Sequence, residues 1–229
     1  AFKSEQDPIP LSAEEEAMLC IAATGLSGMN LSDMPHTRKE EVSDDEEWDG
    51  NANTMLEYSG RTFPSPCGAH GTELFYSNDE GTYIVKMRGL KADKIQEISR
   101  LDDLDKLVAV FEDRRIQISD GRIDLPQSFP AFLSLNLWDA NKPGSTLFMP
   151  VVDVTEELIN GMMLNLEQGA YPTDETGAPL GCKKWVDAGL AHIPSPYQSL
   201  EPAVCLGATN MEVGFMAQNL LLTESAMGL

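Results

Sequence analysis

Residues 61–87 constrain the fold of this chain more than any other stretch of its sequence. Two runs rich in β-branched and aromatic residues, 73–77 and 82–87, flank the four turn-forming residues 78–81. Runs of this kind, joined by a short polar turn, predict a β-hairpin. We therefore expect a sheet in which residues 73–87 supply two neighbouring strands.

The segment just before this hairpin is stiff and then almost bare of side chains. Residues 64–66 read Pro-Ser-Pro, so φ is fixed twice and two backbone donors are lost. Within residues 67–71 only His70 carries a large side chain. Glycine-rich backbone allows a flat ligand or another chain to approach closely. The residues alone leave two interpretations open, a ligand-binding loop or a tight connection without a ligand.

Three motifs resemble those of one known family. The stretch Arg61-Thr-x-Pro-Ser-x-x-Gly-Ala-His-x-x-Glu-Leu-Phe75 resembles the loop and strand of the FMN-dependent nitroreductases. It is most similar to their azoline-oxidising branch, the thiazole/oxazole dehydrogenases that act on modified peptides. Residues 207–229 resemble the long central helix of the family, and residues 10–25 resemble its first helix. The motifs occur in the family's order, whereas residues 90–200 contribute little.

The resemblance implies a fold and an activity. The implied fold is α+β: one domain over residues 1–229, a central, mostly antiparallel sheet flanked by helices, and a buried central helix near the C-terminus. The implied function is an FMN-dependent oxidoreductase that passes two electrons through flavin N5, to or from a small molecule or a modified peptide. The electron donor would be NAD(P)H or the substrate itself. The implied assembly is a homodimer or a pair with a related chain.

The same resemblance assigns candidate site residues. The cofactor-binding residues it implies are Arg61, Pro64, Ser65, Pro66, Gly68, Gln218 and Asn219. His70 would face the open side where a substrate stacks, and the alternative is an exposed loop histidine. We find no nucleophile with a base and no metal-ligand pattern, so the sequence names no catalytic residue and no metal. This agrees with flavin chemistry, in which the cofactor carries out the electron transfer.

One departure from the family pattern leaves two interpretations open. The family's phosphate clamp is an Arg-x-Ser-x-Arg segment before the first helix, and this chain has only Phe2-Lys3-Ser4 there. Either the chain is a fragment whose two ends lie elsewhere, or it has kept the fold and lost the flavin. In the second case we expect an acidic, nitroreductase-like scaffold or interaction protein that pairs with a partner chain.

Charge and composition exclude several classes of partner. The chain carries 37 acidic and 16 basic residues, for a formal charge of -21. This argues against nucleic acid and anionic membrane, because phosphate binding needs basic clusters. We find no apolar run of membrane-spanning length and no export signal. Four cysteines without Cys-x-x-Cys spacing predict reduced thiols in a cytoplasmic protein.

The first part of the chain divides into a helix and an acidic stretch. Ser12 and Glu15 have capping-box spacing and predict a helix from Ala13 that ends near Gly25 or Gly28. Residues 29–55 are expected to be an acidic loop or insertion, because their acidic run, 39–50, is too polar to offset its ordering entropy. A docking site for a basic partner, with Trp48 as its contact, is the alternative.

Patterns elsewhere predict the remaining elements. Spacings of three and four over residues 90–112 predict one or two amphipathic helices. Strands are predicted at 115–119, 132–138 and 146–154, with a short second hairpin through 122–125 and a bulge or sheet edge at Pro150. Thr155 is expected to cap a helix through Leu166, and residues 169–203 show no clear element. A helix over 210–227, apolar almost all round, is expected to be buried in a core or against another subunit.

Overall fold

A computed structural model of the chain describes residues 6–29, 59–66, 70–88, 96–130 and 142–229. Its contacts divide the chain into two compact units. The first comprises Ala1–Gly25, Glu73–Val151 and Met216–Leu229, and the second comprises Leu26–Thr72 and Val152–Phe215. The prediction of a single domain stays a prediction.

The described residues form a mixed α+β structure, as predicted. The α-helices are α1 (Ala13–Thr24), α2 (Leu104–Arg114), α3 (Val154–Glu167), α4 (Lys183–Asp187), α5 (Tyr197–Glu201) and α6 (Thr209–Met227). A 3-10 turn at Leu101–Asp103 precedes α2, and a π-helical stretch at Pro202–Ala208 precedes α6. The strands are β1 (Leu26–Met29), β2 (Ser59–Arg61), β3 (Thr72–Ser77), β4 (Gly81–Val85), β5 (Arg115–Asp120), β6 (Leu147–Val152), β7 (Ala170–Thr173) and β8 (Ile193–Pro196).

The main sheet has the order β5-β4-β3-β6 and is mostly antiparallel. The predicted hairpin is confirmed, with Phe75 opposite Ile84 and Tyr76 opposite Tyr83. Asn78 closes its turn, because the Asn78 side-chain oxygen accepts the backbone N–H groups of Glu80 and Gly81. Pro150 lies in β6 at one edge of the described sheet, where a missing backbone donor disrupts least.

The core of the first unit is built on Tyr76. Its ring stacks on Tyr83 with centroids 4.9 Å apart, and the rings of Phe111 and Phe148 lie at centroid distances of 6.1 and 6.0 Å. Leu74, Val85 and Phe111 are fully buried around it. Burying one such large apolar side chain stabilises the fold by about 1.5–3 kcal/mol. This cluster therefore fixes the hairpin against α2.

The cap of α1 forms as predicted. The Glu15 backbone N–H donates to Ser12 Oγ, and the Ser12 backbone N–H donates to Glu15 Oε2 at 2.7 Å. The helix ends at Thr24, with Gly25 as its C-cap. The cap of α3 differs from the prediction, since Asp153, and not Thr155, accepts the N–H groups of Thr155 and Glu156. Both caps satisfy helix donors that would otherwise lack a partner.

The predicted second hairpin is wrong. β5 pairs antiparallel with β4, and residues 122–125 form no strand. Beyond Gly121, which turns with φ +70°, Arg122 donates to Asp79 and Ser145. The backbone N–H of Ile123 donates to Ser77 Oγ at 2.9 Å. These contacts draw the chain across the end of β3, so it does not return along β5.

The second unit holds elements that the sequence patterns did not predict. β1 and β2 pair antiparallel, and β7 and β8 pair parallel, with Ala170 opposite Ile193. Asp174 organises the turn after β7, because its Oδ1 accepts the N–H groups of Thr176 and Ala178. The region 169–203 therefore has regular structure that is too short and too rich in proline to show a periodic pattern.

The last helix is confirmed in extent, but it is not buried on all sides within the chain. In its C-terminal part Met216 and Leu220 are buried, whereas Leu221 and Leu222 are more than half exposed. In its N-terminal part Met211 and Phe215 are also exposed. A straight helix presents successive residues about 100° apart, so one unit can cover only one stripe of it. Burial against another subunit stays a prediction.

Several predictions concern residues outside the described ranges or only partly inside them. The acidic run 39–50, the strand over 132–138, Gly68 and the thiol of Cys67 lie outside them. Of the predicted helical region 90–112, residues 96–100 are not helical and α2 begins at Leu104. Cys20 and Cys182 are free thiols, as predicted. No helix in the described part of the chain combines the length and the apolar character that a membrane crossing requires.

Candidate functional site

The loop that leaves β2 retains the features that made it a candidate site. Pro64 and Pro66 are exposed, and Ser65 between them is half-buried. The Oγ atom of Ser65 is buried and has no hydrogen-bond partner among the described residues. A buried hydroxyl without a partner costs about 1–3 kcal/mol. The loop therefore presents a polar atom that a bound group is able to satisfy.

Arg61 lies at the end of β2, and contacts with β1 hold its backbone in place. Its carbonyl oxygen accepts a hydrogen bond from Ser27 Oγ at 3.1 Å, and Leu26 lies opposite it in the paired strand. The residue as a whole is buried. The sheet of β1 and β2 thus fixes the point at which the Pro-Ser-Pro loop begins. The proposed role of Arg61 toward a flavin phosphate or pyrimidine stays a prediction.

His70 is buried, so it is not an exposed loop histidine. It is 4% exposed, and its ring meets Phe63 edge-on at a centroid distance of 5.3 Å. Its φ of +51° lies in the left-handed region. A non-glycine residue there costs about 1–3 kcal/mol and persists only where its surroundings hold it. A role for His70 toward a substrate stays a prediction.

The carboxyl group of Glu212 provides that hold. The backbone N–H of His70 donates to Glu212 Oε1 at 3.1 Å, and the Thr72 hydroxyl donates to Oε2 at 3.2 Å. Glu212 is completely buried in the first turn of α6. Both of its oxygens therefore bind one short stretch of backbone and side chain, from residue 70 to residue 72. The contact joins positions about 140 residues apart in the chain.

A second buried carboxyl group explains the glycine between these residues. Glu157, in the first turn of α3, is 2% exposed. A Cβ atom on Gly71 would collide with Glu157 Oε1 and lie 2.8 Å from its Cδ. Only glycine fits this position without moving Glu157. The glycine at position 71 is thus a packing requirement.

Glu157 and Glu212 are residues that the sequence reasoning missed. Glu212 interrupts an apolar helix and Glu157 follows a helix start, and both positions are usually solvent-facing. Acidic residues are almost never fully buried unless they are paired. An acid directly between Met211 and Val213, in an apolar part of the helix, is the signal that points to Glu212.

The other predicted cofactor residues lie in the first unit, on α6. Gln218 is exposed. Asn219 is half-buried, and its Nδ2 donates to the backbone carbonyl of Ala22 at 3.5 Å, at the limit for a hydrogen bond. Within the chain, neither amide is therefore fully buried. Their proposed role toward a flavin stays a prediction.

Within the described ranges, no group of three or more His, Cys, Asp and Glu side chains is arranged to hold a metal ion. No protein-family model, no curated protein and no solved structure matches this chain. The assignment of a function therefore depends on the residues themselves.

Proposed function

We propose that this chain is an FMN-dependent oxidoreductase of nitroreductase-like fold, with the loop after β2 against the edge of the isoalloxazine ring. The observation that carries the proposal is Ser65 Oγ, a buried polar atom without a partner in an exposed loop. The resemblance of residues 61–75 to the nitroreductase loop puts the flavin edge at the same residues. The mixed α+β structure with its mostly antiparallel sheet is compatible with that fold.

The described residues fit the ring of FMN better than its phosphate. Pro64 and Pro66 offer flat, exposed surface, and Ser65 offers one hydrogen bond. When bound, FMN supplies two-electron transfer, while the protein binds it, orients it and excludes water. Ser65 and Arg61 would hold the ring side. The partners would be NAD(P)H, or a small-molecule or modified-peptide substrate, and a second copy or a related chain.

A phosphate clamp is harder to assign. Arg114 donates to the backbone carbonyls of Lys86 and Thr24. Arg115 pairs with Glu112 at 2.7 Å, and Arg122 pairs with Asp79. A phosphate group carries about two negative charges and needs cations that are not already committed. These structural commitments favour a second candidate function, a flavin-free scaffold of the same fold.

Exposed apolar side chains in the second unit also suit that second candidate. The large side chains of Ile159, Leu190, Leu206 and Met211 are each about half exposed or more. Large exposed apolar side chains are compatible with an interface that a partner covers. A homodimer or a related partner chain would cover them in either candidate function.

The test is the visible absorbance spectrum of the purified chain, as isolated and during titration with FMN. We expect saturable binding, with bleaching of the bound flavin by NADH or NADPH under anaerobic conditions. Ser65→Ala removes one ligand hydrogen bond, so it should weaken FMN binding by up to about tenfold. Ser225→Ala, at an exposed position on α6, is the matched control and should leave the affinity unchanged.

Each outcome decides between the two candidates. No FMN binding, even at millimolar concentration, would exclude the oxidoreductase and leave the scaffold. Binding that is equal in Ser65→Ala and Ser225→Ala would support a flavoprotein but overturn the position of the ring at this loop.

A further inference from the structure

Two adjacent cavities lie in the first unit, apart from the loop after β2. One has a volume of about 300 Å³ and the other about 280 Å³, and both are lined by Leu11, Gly144 and Ser145. Small-molecule sites have volumes from about 300 Å³ upward and combine apolar walls with a few placed polar groups. Their size and shared wall are those of one small ligand site with two halves.

Glu16 is the central group of the polar half. It is 6% exposed, and its Oε1 accepts hydrogen bonds from Asn78 Nδ2 at 2.6 Å and Thr146 Oγ1 at 3.5 Å. In the described parts of the chain, no hydrogen bond reaches its other oxygen, Oε2. The guanidinium of Arg115 lies 4.0 Å from Oε2, which is too long for a hydrogen bond. One carboxyl oxygen of a buried side chain is thus available to a donor in the cavity.

Arg115 contacts other groups and does not donate a hydrogen bond to Glu16 Oε2. Its Nη2 donates to Glu112 at 2.7 Å, and its guanidinium lies over the Tyr83 ring, 4.8 Å from the centroid. Its Nη1, the nitrogen nearest Glu16 Oε2, donates to the Tyr76 hydroxyl at 3.5 Å. Glu16 Oε2 is therefore able to accept a hydrogen bond from another donor.

Acidic groups outnumber basic ones in the wall of the polar cavity. Glu80 and Glu112 line it together with Glu16 and Asp79, against the single charge of Arg115. Asp79 is already bound by Arg122 and by the backbone N–H of Gly144. The excess of negative charge favours a cation over an anion. A cation that also donates hydrogen bonds matches the open oxygen of Glu16.

The second cavity is chemically different. Leu19, Phe148 and Leu220 contribute apolar wall, and Leu19 and Leu220 belong to the buried core. Such walls bind hydrocarbon by removing it from water. The two halves therefore suit the two ends of one amphiphilic molecule.

We propose that the first unit binds a small primary amine with an apolar tail. The ammonium group donates to Glu16 Oε2, and the tail lies against Leu19, Phe148 and Leu220. This site does not depend on flavin, and its test does not use the oxidoreductase activity.

The proposal includes a direction for the pH dependence. Burial raises the pKa of Glu16 above its ordinary value, opposed by the Asn78 hydrogen bond and the charge of Arg115. The charged groups that line the cavity with it are Arg115 from β5, Asp79 and Glu80 from the hairpin turn and Glu112 from α2. The titratable side chains of Cys20 and Tyr76 also interact with its charge. Only the ionised carboxylate attracts an ammonium group, so the affinity should rise with pH as Glu16 loses its proton.

The experiment is calorimetric titration of the whole chain with n-hexylammonium at neutral pH. Methylammonium carries the same head without the tail, 1-hexanol carries the tail without the charge, and hexanoate reverses the charge. We expect hexylammonium to bind at least tenfold more tightly than each of them, since each fully buried methylene contributes about fourfold.

Two matched variants locate the head group. Glu16→Gln keeps the shape and removes the charge, and should weaken hexylammonium at least tenfold. Glu14→Gln changes the net charge equally at an exposed position on the same helix and should have no effect. A cooperative thermal transition shows that each variant is folded, and the ligand series on the unaltered chain does not depend on any variant.

Three results would overturn the proposal. One is equal affinity for hexylammonium in the Glu16→Gln and Glu14→Gln chains. Another is 1-hexanol or hexanoate binding as tightly as hexylammonium. The third is the absence of hexylammonium binding at millimolar concentration.

Discussion

Glu212 in the second unit and Glu16 in the first are both buried carboxyl groups, but they differ in what their oxygens contact. Glu212 is fully buried, and each of its oxygens accepts a hydrogen bond, from His70 N–H and from the Thr72 hydroxyl. Glu16 has two donors on one oxygen and none on the other, which faces a cavity. Glu212 therefore holds the backbone of residues 70–72 in place, whereas Glu16 is able to accept a further hydrogen bond from a ligand.

This difference distinguishes a buried carboxyl group that stabilises the fold from one that is able to bind a ligand. A buried polar group with all its partners within the fold stabilises one conformation. One with an unused oxygen carries a desolvation cost that only a ligand or a proton relieves. Burial alone therefore does not identify a site, whereas the partners of each atom do.

The largest loss of stability is expected when the carboxyl group of Glu212 is removed. Glu212→Ala leaves the His70 N–H and the Thr72 hydroxyl buried without their acceptor, and it releases the strained φ of His70. We expect a loss of about 2–4 kcal/mol in the free energy of unfolding, measured by urea denaturation. Glu167→Ala, at an exposed position on α3, is the control and should change it by less than about 0.5 kcal/mol. Equal effects of the two variants would contradict a structural role for Glu212.

A smaller loss should follow Gly71→Ala, which tests how tightly residues 70–72 are packed. The added methyl group meets the buried side chain of Glu157, so we expect destabilisation by about 1–3 kcal/mol. Gly214→Ala is a control of opposite sign. Nothing lies within 4 Å of a Cβ there, and alanine in an exposed helix interior gains up to about 1 kcal/mol. A stabilising Gly71→Ala would mean that Glu157 moves freely.

The smallest change in stability is expected when the carboxyl group of Glu16 is replaced by an amide. Because its pKa is raised by burial, the folded chain binds the Glu16 proton more tightly than the unfolded chain. The stability that Glu16 contributes is present below its ordinary pKa and is lost as pH rises through the folded-state value. Glu16→Gln removes this dependence, so at pH 7 it should be more stable than the unaltered chain by about 1 kcal/mol or less. Thermal unfolding from pH 4 to pH 7 measures whether the advantage shrinks as pH falls, and an advantage that grows would contradict the assignment.

Part of the candidate site was predictable from the sequence. Residues 61–66 were expected to form a loop that leads into a strand, and the structure has that loop between β2 and β3. Ser65 was among the predicted cofactor-binding residues, and its Oγ atom has no hydrogen-bond partner in the described part of the chain, while its role toward a flavin stays a prediction. The buried placement of His70 was not predicted, because it depends on Phe63 and on Glu212 from a distant helix.

The features that could be predicted from the sequence alone depend on neighbours within a few residues. The Ser12–Glu15 cap and the hairpin around residues 78–81 form as predicted, because their contacts close within four residues. The tertiary structure alone decided how distant segments meet. It paired β5 with β4, set Glu212 against residues 70–72, and made Gly71 necessary because of Glu157. Such contacts leave no periodic trace in the sequence, since they join segments that lie far apart in the chain.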